Sequence, residues 1–194
     1  MSRVAVIACG ALAADVRRIA SHRGWPVDVH PVPALLHNRP QRIAPAVASE
    51  LERLRGRYAR VAVAYGDCGT YGALDRALGG QPGVARLDAA DCYDVFAGAE
   101  VREALAEQPG TYFLTDFLAR TFERTVWREL GLDRRPELRE DYFRHYTRVI
   151  WLAQRPSSAT RAAAERAAQL LGLPLETRPV GQAGLERQLG RLVG

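Results

Sequence analysis

The sequence contains no lysine, so all 27 of its basic residues are arginines. Without lysine, the chain lacks the amine of Schiff-base enzymes and the phosphate-binding lysine of P-loop proteins. The arginines stand beside acidic residues in helical segments such as ELERLRGRYAR, a pattern typical of a solvent-exposed helix face. No basic stripe is interleaved with aromatic residues, and the net charge of +5 therefore does not predict nucleic-acid binding.

Long hydrophobic runs are missing as well, and no apolar segment reaches the length that crosses a membrane. The opening stretch MSRVAVIACGAL is followed at once by charged residues, which favours a first β-strand over a signal peptide. Cysteine is scarce, with three residues and no CxxC pair. We therefore expect a cytoplasmic protein without a disulfide framework.

Apolar, strand-like runs alternate with helical segments along the whole chain. Strands are predicted within residues 3–9, 26–32, 60–66, 84–88, 109–116, 148–154 and 173–181. Because these runs are continuously apolar, they predict an α/β fold: a mostly parallel sheet with helices on both faces, in a Rossmann-like or flavodoxin-like three-layer sandwich. We expect a single domain over residues 1–194, and the sequence leaves open a small helical lobe at about 117–147.

The three cysteines all follow strand-like runs. In a parallel sheet the loops after the strands gather at the carboxyl edge, where ligands bind. Cys9, Cys68 and Cys92 are therefore expected to meet in one crevice, together with Asp116. Three converging thiolates suit a zinc ion with an open fourth position, or an iron–sulfur cluster with one free iron. The alternative is that they are small, buried and inert core residues.

The turn YGDCGTYGAL places Cys68 among glycines and before a predicted helix. The glycines allow a ligand to approach the backbone closely, and a helix N-terminus favours the thiolate of Cys68. We therefore expect this thiol to bind a metal or to attack an electrophile. The candidate cofactor-binding residues of this and the neighbouring loops are Gly10, Gly66, Gly69, Thr70, Gly72, Asn38 and Tyr93.

Three further polar residues are candidates for catalysis. His37, in LLHNRP, is a potential ligand or general base, or else a loop histidine beside a helix cap. Asn38 is placed to cap a helix that has Pro40 in its first turn. Asp67 is an acid–base candidate, although turn formation explains it equally well. Asp116 is the third candidate, with helix N-capping as its alternative role.

Several motifs resemble the bacterial and archaeal family known as domain of unknown function 1638, over about residues 3–155. They are VIACGAL, ALLHNRPQRIAPAV, YGDCGTYGALD, DCYDVFAG, PGTYFLTDFLARTF and LGLDRRPELREDYFRHY. The family motifs map onto Cys9, Cys68 and Cys92, onto His37 and Asn38, and onto Asp116. One departure is Asp91, where the family often has a histidine. The resemblance implies a link to corrinoid-dependent methyl transfer and one-carbon metabolism, with a methyltransferase or corrinoid protein as partner.

Three functions are consistent with these features. The leading hypothesis is a metal-binding protein with a three-cysteine site that acts in corrinoid-linked methyl-group metabolism. If it is an enzyme, we expect a metal-dependent methyltransferase or a lyase-type one-carbon enzyme with a small-molecule substrate. The second hypothesis is a metal-free accessory protein of a methyltransferase system, which binds a small molecule or a partner. The third is a transferase or hydrolase with Cys68 as nucleophile. A homo-oligomer is left open.

Overall fold

The computed structural model describes residues 3–194 and contains two all-parallel sheets flanked by helices. The predicted α/β fold with parallel strands is therefore confirmed. The chain divides into two compact units: the part up to Val95 together with Ala183–Gly194, and the intervening part Phe96–Gln182. The predicted extent of the domain, and the lobe at about 117–147, stay predictions.

The first unit contains a four-stranded sheet in the order β2-β1-β3-β4. Its strands are β1 (Val4–Cys9), β2 (Val27–Val32), β3 (Val61–Ala64) and β4 (Val84–Arg86). The chain passes from β1 to β2 on one side, and then crosses to β3 on the other side of β1. The loops that leave β1 and β3 therefore diverge, and this arrangement creates a ligand-binding switch point at their carboxyl ends.

The helices of the first unit cover a sheet that is apolar throughout its centre. They are α1 (Ala13–Arg23), α2 (Ile43–Leu54), α3 (Ala73–Leu78), the beginning of α4 (Cys92–Glu107), and α8 (Ala183–Val193). Strand β1 is buried along its entire length. Helix α2 buries Val47, Leu51 and Leu54 at helical spacing. The continuous apolar runs thus form strands because both faces of the sheet are removed from water.

The second unit contains a three-stranded sheet in the order β5-β6-β7. Its elements are β5 (Thr111–Thr115), α5 (Asp116–Phe122), α6 (Leu138–Phe143), β6 (Arg148–Ala153), α7 (Ser158–Leu171) and β7 (Leu175–Pro179). The fully buried Trp151 lies in the core of this unit with Leu114 and Phe122. Helix α7 begins with a serine cap, because the Ser157 side chain accepts a hydrogen bond from the Thr160 amide at 3.1 Å.

Two predictions about helix starts are wrong. Asn38 does not cap α2; it ends a 3₁₀ segment, Ala34–Asn38, and a second one, Pro40–Arg42, follows before α2 begins. Asp116 is not an N-cap, because Thr115 takes that position and accepts a hydrogen bond from the Leu118 amide at 3.2 Å. Over residues 3–194, no helix is both long and apolar enough to cross a bilayer.

Candidate functional site

The loops that follow the strands of the first unit are joined to one another at the carboxyl edge of the sheet. The Gly10 amide donates to the Val32 carbonyl at 2.8 Å, at the end of β2. The Asp67 and Cys68 amides donate to the carbonyls of Ala89 and Ala90 at 2.9 and 2.7 Å. The loop after β3 is thereby fixed to the loop after β4, and each cysteine-bearing segment has a defined neighbour.

Two glycines allow the loops to approach each other closely, because glycine has no Cβ. A Cβ on Gly10 would lie 2.9 Å from the Ala34 nitrogen, and a Cβ on Gly66 would lie 2.9 Å from the Cα of Asp91. Both distances are shorter than real Cβ atoms tolerate against backbone. The sequence predicted that these glycines bind a cofactor. The structure shows that they allow loop-to-loop packing, and their role toward a cofactor stays a prediction.

All three thiols lie in this part of the first unit. Cys9 is the last residue of β1 and is buried, whereas Cys68 and Cys92 are half-buried. Burial raises the pKa of Cys68 to about 12, and the nearby Cys9 and Asp91 contribute. The pKa of Cys92 is raised by burial first, and then by Asp91, Cys68 and Cys9. Neighbouring thiols thus contribute to the raised pKa values of Cys68 and Cys92, whereas a site shared by all three cysteines stays a prediction.

The expected thiolate character of Cys68 is wrong for the protein without a bound cation. The prediction relied on the helix that follows the turn, but α3 begins only at Ala73 and has just six residues. The dipole effect fades within the first turn of a helix, so it does not offset burial. Among residues 3–194, no three His, Cys, Asp or Glu side chains are already placed to hold a metal ion.

His37 is brought beside the first thiol by the 3₁₀ segment after β2. Its Nε2 lies 3.2 Å from the Cys9 Sγ. Burial lowers the pKa of His37, and the carboxylate of Asp91 works in the opposite direction. The neutral imidazole is therefore favoured near pH 7, and this is the form that binds metals and accepts protons.

Sequence reasoning missed Tyr65, which lies directly before the glycine-rich turn. The residue is 0% exposed, and its ring stacks on His37 with centroids 5.5 Å apart. Burial raises its pKa, and so does the proximity of all three cysteines. The hydroxyl lies beside the Cys9 thiol, which contributes to the raised pKa of Tyr65. The sequence offered one signal for Tyr65: it is an aromatic residue with a polar hydroxyl at the end of the apolar run RVAVAY.

Asp67 uses its carboxylate to close its own turn. The carboxylate accepts hydrogen bonds from the Thr70 hydroxyl at 2.7 Å and from the amides of Tyr71 and Gly72 at 3.0 and 2.9 Å. These bonds, from Gly72 first, lower the pKa of Asp67. The carboxylate is thus ionised and engaged within the turn, and a role for it in catalysis stays a prediction.

The same turn carries backbone strain. Cys68 and Tyr71 have φ values of 51° and 50°, which are unusual for residues other than glycine. Gly69 and Gly72 adopt positive φ as well, which explains why the turn is glycine-rich. Strain of this kind persists only where the surroundings hold it in place, and here the hydrogen bonds to Asp67 do so.

The remaining candidate residues are divided between the two units. In the first unit, the Asp91 carboxylate accepts from the amides of Tyr93 and Asp94 at 2.9 and 3.0 Å, at the start of α4. Asn38 is exposed at the end of its 3₁₀ segment. Asp116 belongs to the second unit, where its buried carboxylate accepts from the Trp151 indole at 2.9 Å and from the Arg155 amide at 2.8 Å.

Fold and site together define an α/β protein whose three cysteines lie at the carboxyl edge of a parallel sheet. The chain belongs to the family described as "Protein of unknown function (DUF1638)", which matches residues 31–189. The match includes His37, Cys68 and Cys92 and begins after Cys9. It confirms the family resemblance, whereas the corrinoid link stays a prediction. No curated protein matches the chain.

Replacing Gly66 by alanine should lower the free energy of unfolding by roughly 1–3 kcal/mol, because the new Cβ is forced against the backbone of Asp91. Denaturant unfolding measures this loss. Gly190→Ala is the control. Gly190 lies inside α8, and a Cβ there would be 3.6 Å from the Trp25 ring, which is an ordinary van der Waals contact. We expect the control to be as stable as the parent or slightly more stable. Equal stability of Gly66→Ala and the parent would contradict the packing role.

Cys68 in chelator-treated protein should be alkylated slowly at neutral pH. With a pKa of about 12, on the order of one thiol in ten thousand is ionised at pH 8, and only the thiolate reacts. The rate should rise about tenfold per pH unit between pH 7 and 10. Iodoacetamide labelling followed by peptide mass spectrometry measures it, with the unfolded chain as the control. Fast labelling of Cys68 alone at pH 7 would instead support the nucleophile hypothesis.

Proposed function

We propose that the protein binds a metal centre through Cys9, Cys68 and Cys92, at the carboxyl edge of its first sheet. The carrying observation is that all three cysteines lie at this edge, where Cys9 contributes to the raised pKa of Cys68, and Cys9 and Cys68 contribute to that of Cys92. Cys9 ends β1, Cys68 lies in the loop after β3, and Cys92 begins α4. Thiolates are soft ligands, and a set of three suits zinc or an iron–sulfur cluster.

The donor set fits such a group, because all three thiols are soft ligands. A bound cation favours deprotonated thiols, and it would offset the burial that is the main cause of the raised pKa values of Cys68 and Cys92. Because the ligands are not yet in coordinating positions, we expect the thiol side chains to reorient when the metal binds.

Zinc or a cluster would supply a Lewis acid or an electron carrier at this site. The chain itself supplies a proton acceptor, since the neutral His37 presents Nε2 3.2 Å from the Cys9 sulfur. Cys9 is buried, and the His37 ring beside it stacks on the ring of Tyr65. This combination suits the activation of a small substrate. Corrinoid-linked methyl transfer is the reaction that the family resemblance favours, with a corrinoid bound by a partner protein.

One observation favours a second function, that of a metal-free accessory protein. No three ligands are already placed to hold an ion among residues 3–194. Raised thiol pKa values also keep Cys68 and Cys92 neutral near pH 7. In this case the crevice would bind a small molecule or a methyltransferase partner, and the thiols would serve packing.

Substituting Cys68 by serine should abolish metal binding, because two thiols with a weak hydroxyl ligand do not replace three thiolates. The parent and the variant are reconstituted without oxygen, with zinc or with iron and sulfide, and the metal content per chain is measured. Ser157→Ala is the control, since it removes the α7 cap in the second unit and costs about 1 kcal/mol without touching a thiol.

The control should retain full metal content. A Cys68→Ser protein that keeps the full metal content would contradict the three-cysteine site. A parent protein that takes up no metal under either condition would favour the accessory function instead.

A further inference from the structure

We propose that a groove in the second unit binds a small molecule through its phosphate group. The groove lies between α5 and α7 and has a volume of about 360 Å³. Its lining includes Arg120 of α5, Arg124 of the turn that continues α5, and Arg166 of α7. The proposal does not depend on the metal centre, because it concerns a different part of the chain.

The floor of the groove is apolar. Its buried lining residues include Ala119 of α5 and both Ala163 and Ala167 of α7. Alanine side chains end at Cβ, so they leave space above them, and Phe122 and Leu170 complete the apolar lining. An apolar floor with a few polar groups is typical of small-molecule sites. A compact cavity of this kind favours a small molecule over an extended nucleic acid.

The arginines of the groove are not neutralised by the protein. Within residues 3–194, none of the three forms an ion pair, and Arg120 makes one long contact of 3.5 Å to the Thr160 hydroxyl. Glu123 also lines the groove, but it is not ion-paired with any of them. Three exposed guanidinium groups therefore stand against one carboxylate, and the groove carries an excess of positive charge.

This excess of charge is unfavourable in the free protein and favourable around an anion. Arg148, in the same unit, is neutralised by Glu107 and Glu176 at 3.2 and 3.3 Å. By contrast, Arg120 and Arg124 are four residues apart, and like charges at this spacing destabilise a helix. A bound phosphate would remove this repulsion. The planar guanidinium group also matches two phosphate oxygens at once, which makes arginine the preferred residue for such ligands.

A π-helical turn forms part of the same wall. It comprises Glu123–Trp127, and the Arg128 amide donates to the Glu123 carbonyl, five residues back, at 3.0 Å. Such turns are rare and recur at functional sites. Arg124 belongs to this turn, so the groove coincides with a departure from regular helix geometry.

The test is a calorimetric titration of the full chain with inorganic pyrophosphate, in chloride buffer at constant ionic strength. The parent should bind pyrophosphate saturably, with one site per chain. Arg120→Gln/Arg124→Gln should weaken binding by about tenfold or more, because charge-assisted hydrogen bonds to the phosphate are lost. Arg166→Gln, on the other helix, should weaken it by about fivefold and decides the test if the double variant does not fold.

Arg134→Gln/Arg135→Gln is the control, because it removes the same charge from the same unit. Both arginines are exposed and lie outside the groove, and they pair with Asp133 and Glu137 at 3.8 and 3.2 Å. The control should keep the affinity of the parent within about twofold, since salt screens charges that do not touch the ligand.

Thermal unfolding without phosphate gives a second readout. Since the groove variants lose like-charge repulsion, they should melt at the same temperature as the parent or higher. Earlier melting with unchanged pyrophosphate affinity would show that the arginines serve the fold, and it would overturn the inference.

Two further results would also overturn it. One is a parent protein that shows no saturable binding of pyrophosphate. The other is an equal loss of affinity in the groove variants and in the control, which would show attraction by net charge alone. Where the groove variants alone lose affinity, a nucleoside diphosphate is titrated next. Tighter binding than that of pyrophosphate would identify an organic phosphate as the ligand, and equal binding would identify the phosphate group by itself.

Discussion

The backbone pairing between the loops after β3 and β4 is the constraint on which the candidate site depends. Two hydrogen bonds, from the amides of Asp67 and Cys68 to the carbonyls of Ala89 and Ala90, fix one cysteine-bearing loop to the other. Gly66 permits the approach because it has no Cβ to meet Asp91. Cys68 has a positive φ at the point where its own amide is bonded to the Ala90 carbonyl. Strand order then brings the end of β1, with Cys9, to the same place.

Burial is the main reason why the thiols of the first unit resist ionisation. It raises the pKa of all three cysteines, and neighbouring cysteines and Asp91 add to the effect at Cys68 and Cys92. Neutral thiols are compatible with a stable core, so the metal-free fold does not depend on a cation. In the proposed metal centre, a soft cation would have to offset this burial, because it is the thiolate that binds metals.

The sequence was sufficient for the parallel strands, and insufficient for the chemistry of the thiols. Continuous apolar runs such as RVAVIAC predict buried parallel strands, and strand ends in a parallel sheet share one edge. The start of α2 was mispredicted because the geometry around Asn38 is a pair of 3₁₀ segments, which no local pattern distinguishes from a capped helix. The pKa of Cys68 was expected in the wrong direction, since burial by loops distant in sequence outweighs a short helix. Tyr65 was missed because its pattern is that of an ordinary core aromatic residue.

The most direct test of the metal centre is a metal analysis with a visible absorption spectrum, on protein purified without oxygen. The account predicts either about one zinc per chain in a colourless protein, or a brown protein with several irons and sulfides per chain. A colourless protein without metal, in which all three cysteines are found as free thiols after unfolding, would contradict it. The crevice would then be a binding site of another kind, lined by thiols that serve packing.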